Sequence, residues 1–289
     1  MQSDSPHQPS SRSQPLRPPS ELYLELLKLS LTAILRPEQY TPAPLPKEGV
    51  KGWLNGWIGN RLRNDGFEIV RRKEFNYAER YRGSECWPLE AETMIGIPRL
   101  NNVQKCVESV LRDGVPGDLI ETGVWKGGTT IFMRALLEVL GNRNRRVWVA
   151  DSFKGVPPPS ADLYPADAGD FHHTYPLDAS LETVRENFRK YGMLDDRVQF
   201  LEGWFKDTLA VAPIKEIAVM RLDGDIYEST MDALKPLYPK LSIGGYCIID
   251  DYQVHKPCAM AVEDYRSAHG ITEPIELIDH TAVYWRRER

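Results

Sequence analysis

The sequence predicts an α/β fold: a mostly parallel sheet covered by helices on both faces, with an antiparallel pair of strands at its C-terminal edge. From Ile97 onward, short apolar runs alternate with amphipathic ones, the signature of strand–helix–strand units. The last two apolar runs follow each other without a helix between them, which suits an antiparallel edge on a parallel sheet. Each of the first five strand candidates ends in an acid.

The N-terminus comes before this pattern. Residues 1–20 are rich in Ser, Pro and Gln and lack an apolar signal core, so a disordered tail is expected. Residues 21–35, "ELYLELLKLSLTAIL", form a leucine-rich amphipathic helix that would dock on the body or on a second subunit. "RPEQYTPAPLPKEG" is a Pro-broken linker. Residues 53–90 show no clear period and are expected to be irregular, a lid region. The chain thus divides into a tail (1–20), a helix, linker and lid region (21–92), and a catalytic domain (93–289).

The regular part starts with a helix over 99–114, closed by Gly114. A strand at 118–123 and a helix at 129–141 follow, then a strand at 146–151 and a helix at 180–192. Strands at 198–203 and 217–223, a helix at 228–241, a strand at 244–250 and a helix at 256–270 complete the series. The closing strands are 274–279 and 282–287, a hairpin turning at Asp279–Thr281.

Composition narrows the function. The chain has 289 residues, 42% hydrophobic and 27% charged, as in ordinary soluble proteins. A net charge of −5 disfavours a nucleic-acid binder. No run is long and apolar enough to span a bilayer. Four scattered cysteines without a C-x-x-C spacing exclude a zinc motif and suit reduced thiols in the cytoplasm.

In such a sheet, ligands bind at the carboxyl ends of the strands, near the point where strand order switches. The acids there are Glu121, Asp151, Glu202, the pair Asp223 and Asp225, and the pair Asp250 and Asp251. Like charges on one rim repel unless something cationic binds. "ETGVWKGGTT" places Glu121, Thr122, Gly123 and Gly127 between strand and helix, without the G-x-G-x-x-G dinucleotide fingerprint. Glu121 suits a positively charged ligand, and Asp151, with Ser152 beside it, suits a ribose diol. An ammonium, a sulfonium and a ribose are the parts of S-adenosylmethionine. Ser180 reads first as a helix N-cap and second as an adenine contact.

Asp223, Asp225, Asp250 and Asp251 lie on neighbouring strands ~4.8 Å apart, with no lysine or arginine expected beside them. Such a set suggests a hard divalent cation, magnesium before calcium. Asp250 is expected to finish its strand, and Asp251 to swing back toward the same ion. In extended chain, Asp223 and Asp225 fall on one side, so one can hold metal while the other accepts a proton. The pair His172–His173 reads as part of a flexible loop rather than a metal site. The long loop 154–178 is a candidate acceptor-binding segment, and Tyr252 and His255 are candidate lining residues.

"LIETGVWKGGTT", "VWVADSFKGVP", "GWFKDTL", "RLDGDIYEST" and "GGYCIIDDY" together resemble the macrocin O-methyltransferase family over roughly residues 75 to 287. The resemblance implies a class I, Rossmann-like methyltransferase fold with S-adenosylmethionine and Mg2+. It implies metal ligation by Asp223, Asp250 and Asp251, a general base at Asp225, and a cofactor pocket including Glu121, Gly123, Asp151 and Ser152, with Asp223 at its border. "AETMIGIPRL" resembles the segment that closes over the cofactor, with Thr93 and Met94 as contacts. The implied acceptor is a sugar hydroxyl of a glycosylated natural product, and a homo-oligomer is expected. A catechol-type phenolic methyltransferase would share the metal and the vicinal oxygens, and a noncatalytic S-adenosylmethionine-binding protein would share the fold. Methyl transfer with and without a chelator separates the enzymes from the noncatalytic reading, and the pocket loops decide between sugar and phenol.

Overall fold

The computed structural model describes residues 16–36, 39–42, 61–62, 67, 70–73, 76–83, 90–175 and 177–289. Most of the expected tail, and much of the linker and lid region, lies outside the described residues.

Helix α1 spans Pro19–Leu31, with proline opening its first turn, where a missing N–H costs nothing. Leu24, Leu27 and Leu31 are buried in the core beneath it. Burying a leucine contributes roughly 1.5–3 kcal/mol, which accounts for the docking of an otherwise marginal helix. Strands β1 (Gln39–Pro42) and β2 (Val70–Lys73) form a separate antiparallel ribbon. The sequence pattern showed neither, because they pair across a long separation. Helix α2 follows at Tyr77–Arg82, capped by Asn76.

The main body begins with α3 (Ile97–Arg112), and Gly114 turns the chain at φ 66°. Then come β3 (Asp118–Thr122), α4 (Gly128–Val139), β4 (Val147–Asp151), α5 (Leu181–Lys190), β5 (Val198–Glu202) and a short α6 (Phe205–Thr208). They are followed by β6 (Ile217–Leu222), α7 (Tyr227–Leu237), β7 (Leu241–Ile249), α8 (Lys256–Ala268), β8 (Glu276–Leu277) and β9 (Val283–Arg286). Helix α7, with Pro236 inside its last turn, ends at Leu237, a turn earlier than the sequence pattern suggested, and a 3-10 turn at Tyr238–Lys240 that contains Pro239 takes over.

The sheet has seven strands in the order β5-β4-β3-β6-β7-β9-β8. The first five run parallel, and β9 is antiparallel to both β7 and β8. The C-terminal hairpin turns where expected: Asp279 Oδ1 accepts from the backbone N–H groups of Thr281 and Ala282. One core layer joins α1, α3, α4 and α5 to the sheet, and a second joins α7, α8 and Trp285. Strand order reverses between β3 and β6, so the two strands after the switch carry Asp223 and Asp250 at their ends. Among the described residues, no helix is long and apolar enough to cross a membrane.

Candidate functional site

Strand β3 delivers Glu121 and Thr122, both buried, to the start of a glycine loop. Gly123 takes φ 77°, and a Cβ there would sit 1.9 Å from the carbonyl oxygen of Asp223. Only glycine therefore lets the end of β3 press against the end of β6. Asp151 at the end of β4 holds the same loop: its Oδ2 accepts from Val124 N at 2.8 Å and its Oδ1 from Phe153 N at 2.7 Å. Burial pushes its carboxyl up against these bonds.

Segment 92–95 lies over the start of α4. Gly128 N donates to Glu92 O at 2.8 Å, and the Thr93 hydroxyl meets that of Thr129 at 3.2 Å. Arg80 of α2 donates to the carbonyls of Thr93 and Met94 at 2.7 and 3.0 Å. Ser152 and Ser180 are otherwise engaged. Ser152 Oγ bonds Gly155 O at 2.9 Å in a turn. Ser180 caps α5 by accepting from Thr183 N at 3.1 Å. Ser180 is exposed.

The acidic cluster converges. Asp223, Asp250 and Asp251 each offer a carboxylate oxygen within 4.8 Å of the others'. Three details differ from the sequence reading. First, cations do stand beside these acids. Arg221, 1% exposed, donates from Nη1 to Glu121 and, at 3.0 Å, to Asp223, and its Nη2 pairs with Asp250. Arg99 donates to the other oxygen of Asp250 at 2.6 Å. A charged residue inside the apolar run "IAVMRL" was a readable signal, because a buried guanidinium must find partners.

Second, β7 stops at Ile249, so both Asp250 and Asp251 lie past its end; Asp250 N still donates to Leu222 O at 3.0 Å. Third, Asp223-Gly-Asp225 is not extended. Asp225 has φ 55°, and Ile226 N donates back to Gly224 O at 2.5 Å. This is the strained, positive-φ γ-turn, a backbone choice that costs on the order of 1 kcal/mol and concentrates at functional sites. The turn aims Asp225 N at Asp251 Oδ2, 3.3 Å away.

Loop 154–178 folds onto this cluster instead of standing free. Asp167 is fully buried and accepts from the first N–H groups of α7, Tyr227 at 2.7 Å and Glu228 at 2.9 Å. His172 bonds Asp170 at 2.7 Å and packs edge-on against His255, which lies 3.7 Å from Asp225 Oδ1. Asp225, Asp251 and His255 form a second converging group.

Electrostatics sorts the acids. Burial, then the charges of Asp223 and Asp250, push Asp225 up to about 8. Burial, then neighbouring carboxylates, hold Asp223 and Asp251 well above the usual range. Despite its burial, Asp250 stays below it, because Arg221 and Arg99 favour its charged form. Three carboxyl groups that bring oxygen atoms within 4.8 Å of one another offer the hard oxygen donors that a divalent cation such as magnesium takes.

The model of the macrocin-O-methyltransferase family (TylF) matches residues 20–287. The match therefore takes in α1, beyond the motifs noted from residue 75 onward. The chain is 57% identical over 202 residues to an 8-demethyl-8-(2,3-dimethoxy-α-L-rhamnosyl)-tetracenomycin-C 4′-O-methyltransferase of Streptomyces olivaceus, covering 69% of this chain and 77% of the relative. It is 53% identical over 251 residues to the mycinamicin III 3″-O-methyltransferase of Micromonospora griseorubida, covering 84% and 98%. Among solved structures, the O-methyltransferase NovP is similar at a TM-score of 0.80 and 44% identity, over 93% of this chain and all of that one. The parallel sheet, the glycine loop and these similarities agree: the chain belongs to the macrocin-O-methyltransferase family and is an S-adenosylmethionine-dependent O-methyltransferase.

Proposed function

We propose that the chain methylates a sugar hydroxyl of a glycosylated natural product, with Asp225 as general base beside a divalent ion, Mg2+, held by Asp223, Asp250 and Asp251. The observation that carries this reading is the convergence of those three carboxylates with the strained turn that presents Asp225. The sugar is favoured because the tetracenomycin relative is named for a rhamnosyl compound and the mycinamicin relative for a 3″-oxygen.

A bound divalent ion would acidify a neighbouring oxygen, as it does water. The remaining work falls to the chain itself. Asp151 and the glycine loop hold the cofactor's ribose, and Thr93 and Met94 cover it. Asp225 takes the acceptor's proton as its oxygen gains the methyl carbon and the carbon–sulfur bond breaks. A carboxyl at about 8 holds its proton at neutral pH. Positive charge placed among Asp223, Asp250 and Asp251 lowers that value and frees Asp225 to act as a base. Loop 154–178, clamped by Asp167 and His172, bounds the acceptor side.

The test is methyl transfer from S-adenosylmethionine to a demethylated glycoside, with and without EDTA. Turnover that EDTA abolishes and magnesium restores is the expected result. Full turnover in EDTA would remove the metal from the reading, and transfer to catechols in preference to sugars would remove the acceptor class.

A further inference from the structure

Arg99 and Arg221 have no place in the methyl-transfer chemistry, yet both are buried in its centre. Arg221 touches Glu121, Asp223 and Asp250 at once, joining the ends of β3, β6 and the chain past β7. Arg99 comes from the first turn of α3. It pairs with Asp250 at 2.6 Å and Asp279 at 3.1 Å, and donates to the carbonyl of Gly83 at 3.0 Å. The two guanidiniums take opposite oxygens of one carboxylate, Asp250. They approach the cluster from the side: among the described residues, no lysine or arginine pairs with Asp251, whose Oδ2 accepts only from a backbone N–H.

A buried arginine is expensive unless its partners compensate it, and a buried carboxylate cluster is equally so without cations. Here each solves the other's problem. We propose that Arg99 and Arg221 are resident counter-cations: they stand in for part of the divalent charge, hold the acidic centre together before an ion binds, and limit how tightly the ion is held. This rests on the divalent-ion reading above and adds how the fold would carry its acidic centre when no ion is bound.

The inference separates charge from packing. If the guanidiniums act by charge, removing one destabilises the ion-free protein and tightens ion binding, because a repulsive neighbour is gone. Coulomb's law with water's dielectric constant already gives roughly a tenfold change in affinity for a divalent ion ~5 Å from a lost unit charge. If they act only by packing, the ion-free and ion-loaded proteins lose stability together.

The experiment uses the full chain without cofactor. Thermal melts with and without magnesium chloride, and calorimetric titration of magnesium, compare the parent with Arg221→Met, Arg99→Gln and Arg99→Lys. Expected are a lower Tm without ion for Arg221→Met and Arg99→Gln, a larger magnesium-induced rise in Tm, and about tenfold tighter magnesium binding. Arg99→Lys keeps the charge and should behave as the parent. Should Arg221→Met fail to fold, the two Arg99 variants give the same comparison. Magnesium affinity that is unchanged or weaker in Arg99→Gln, with an unchanged rise in Tm, overturns the inference while leaving the metal reading intact. No magnesium response in the parent and in every variant overturns both.

Discussion

In the proposed site, one side chain, Asp151, would serve structure and ligand together. Its carboxylate accepts from Val124 N and Phe153 N, fixing the glycine loop that follows β3. Asp151→Ala should therefore cost cofactor affinity twice, through a lost ribose acceptor and a loosened loop. Charge-assisted bonds are worth ~1.5–3 kcal/mol each, so S-adenosylmethionine binding measured by calorimetry should weaken at least about tenfold. Unchanged affinity would place the ribose elsewhere. The residue types at the site were readable from sequence because acids at the ends of parallel strands have few structural reasons to exist. Their geometry was not. A γ-turn at Asp225 and the reach of Arg99 to Asp250 depend on contacts far apart in the chain, and no local pattern encodes them.

At the scale of elements, α1 is tied to segment 92–95, proposed above to cover the cofactor. The carbonyl of its last residue, Leu31, accepts from Glu92 N at 3.0 Å and Thr93 N at 3.3 Å, and Arg80 of α2 ties Thr32 O to the carbonyls of Thr93 and Met94. Leu31 is fully buried. Leu31→Ala should cost ~2–5 kcal/mol, read as a lower urea midpoint with an unchanged slope. It should also weaken S-adenosylmethionine binding, because the covering segment loses its anchor. A stability loss without any loss of cofactor affinity would uncouple the helix from the site. Apart from the short α6, which the sequence pattern did not show, strands and helices from Ile97 onward matched their sequence patterns to within a few residues, because buried parallel strands and amphipathic helices declare themselves in hydrophobic period. The ribbon of β1 and β2 did not, since short strands paired across a long separation carry no such period. Loop 154–178 was legible only as long. Its attachment through Asp167 to α7 and through His172 to His255 needed the fold.

At the scale of the whole molecule, the acidic centre links stability to pH and, if the proposed ion binds there, to the ion. Asp225 is raised to about 8 and Glu121 to about 7, both by burial first, and Asp223 and Asp251 are raised as well. Between the ordinary carboxylate range and about pH 8, the folded protein then binds more protons than the unfolded chain. Its stability therefore falls as pH rises through that window; Asp250, held low by its arginines, opposes this only at acid pH. The ion-free protein should melt progressively lower from about pH 5 to pH 8, and saturating magnesium should flatten that slope. A melting temperature that rises across the same window in EDTA would contradict the assignment of these shifts. In the proposed mechanism, Asp225 takes the proton while its three neighbours hold the ion. The most direct test is turnover of Asp225→Asn as magnesium is increased, beside Asp223→Asn. If Asp225 is the base, its variant loses turnover by ~10²–10⁴-fold at every magnesium concentration and keeps normal magnesium and cofactor affinity, while Asp223→Asn partly recovers as magnesium rises. Recovery of Asp225→Asn by excess magnesium would make Asp225 a ligand and contradict the account.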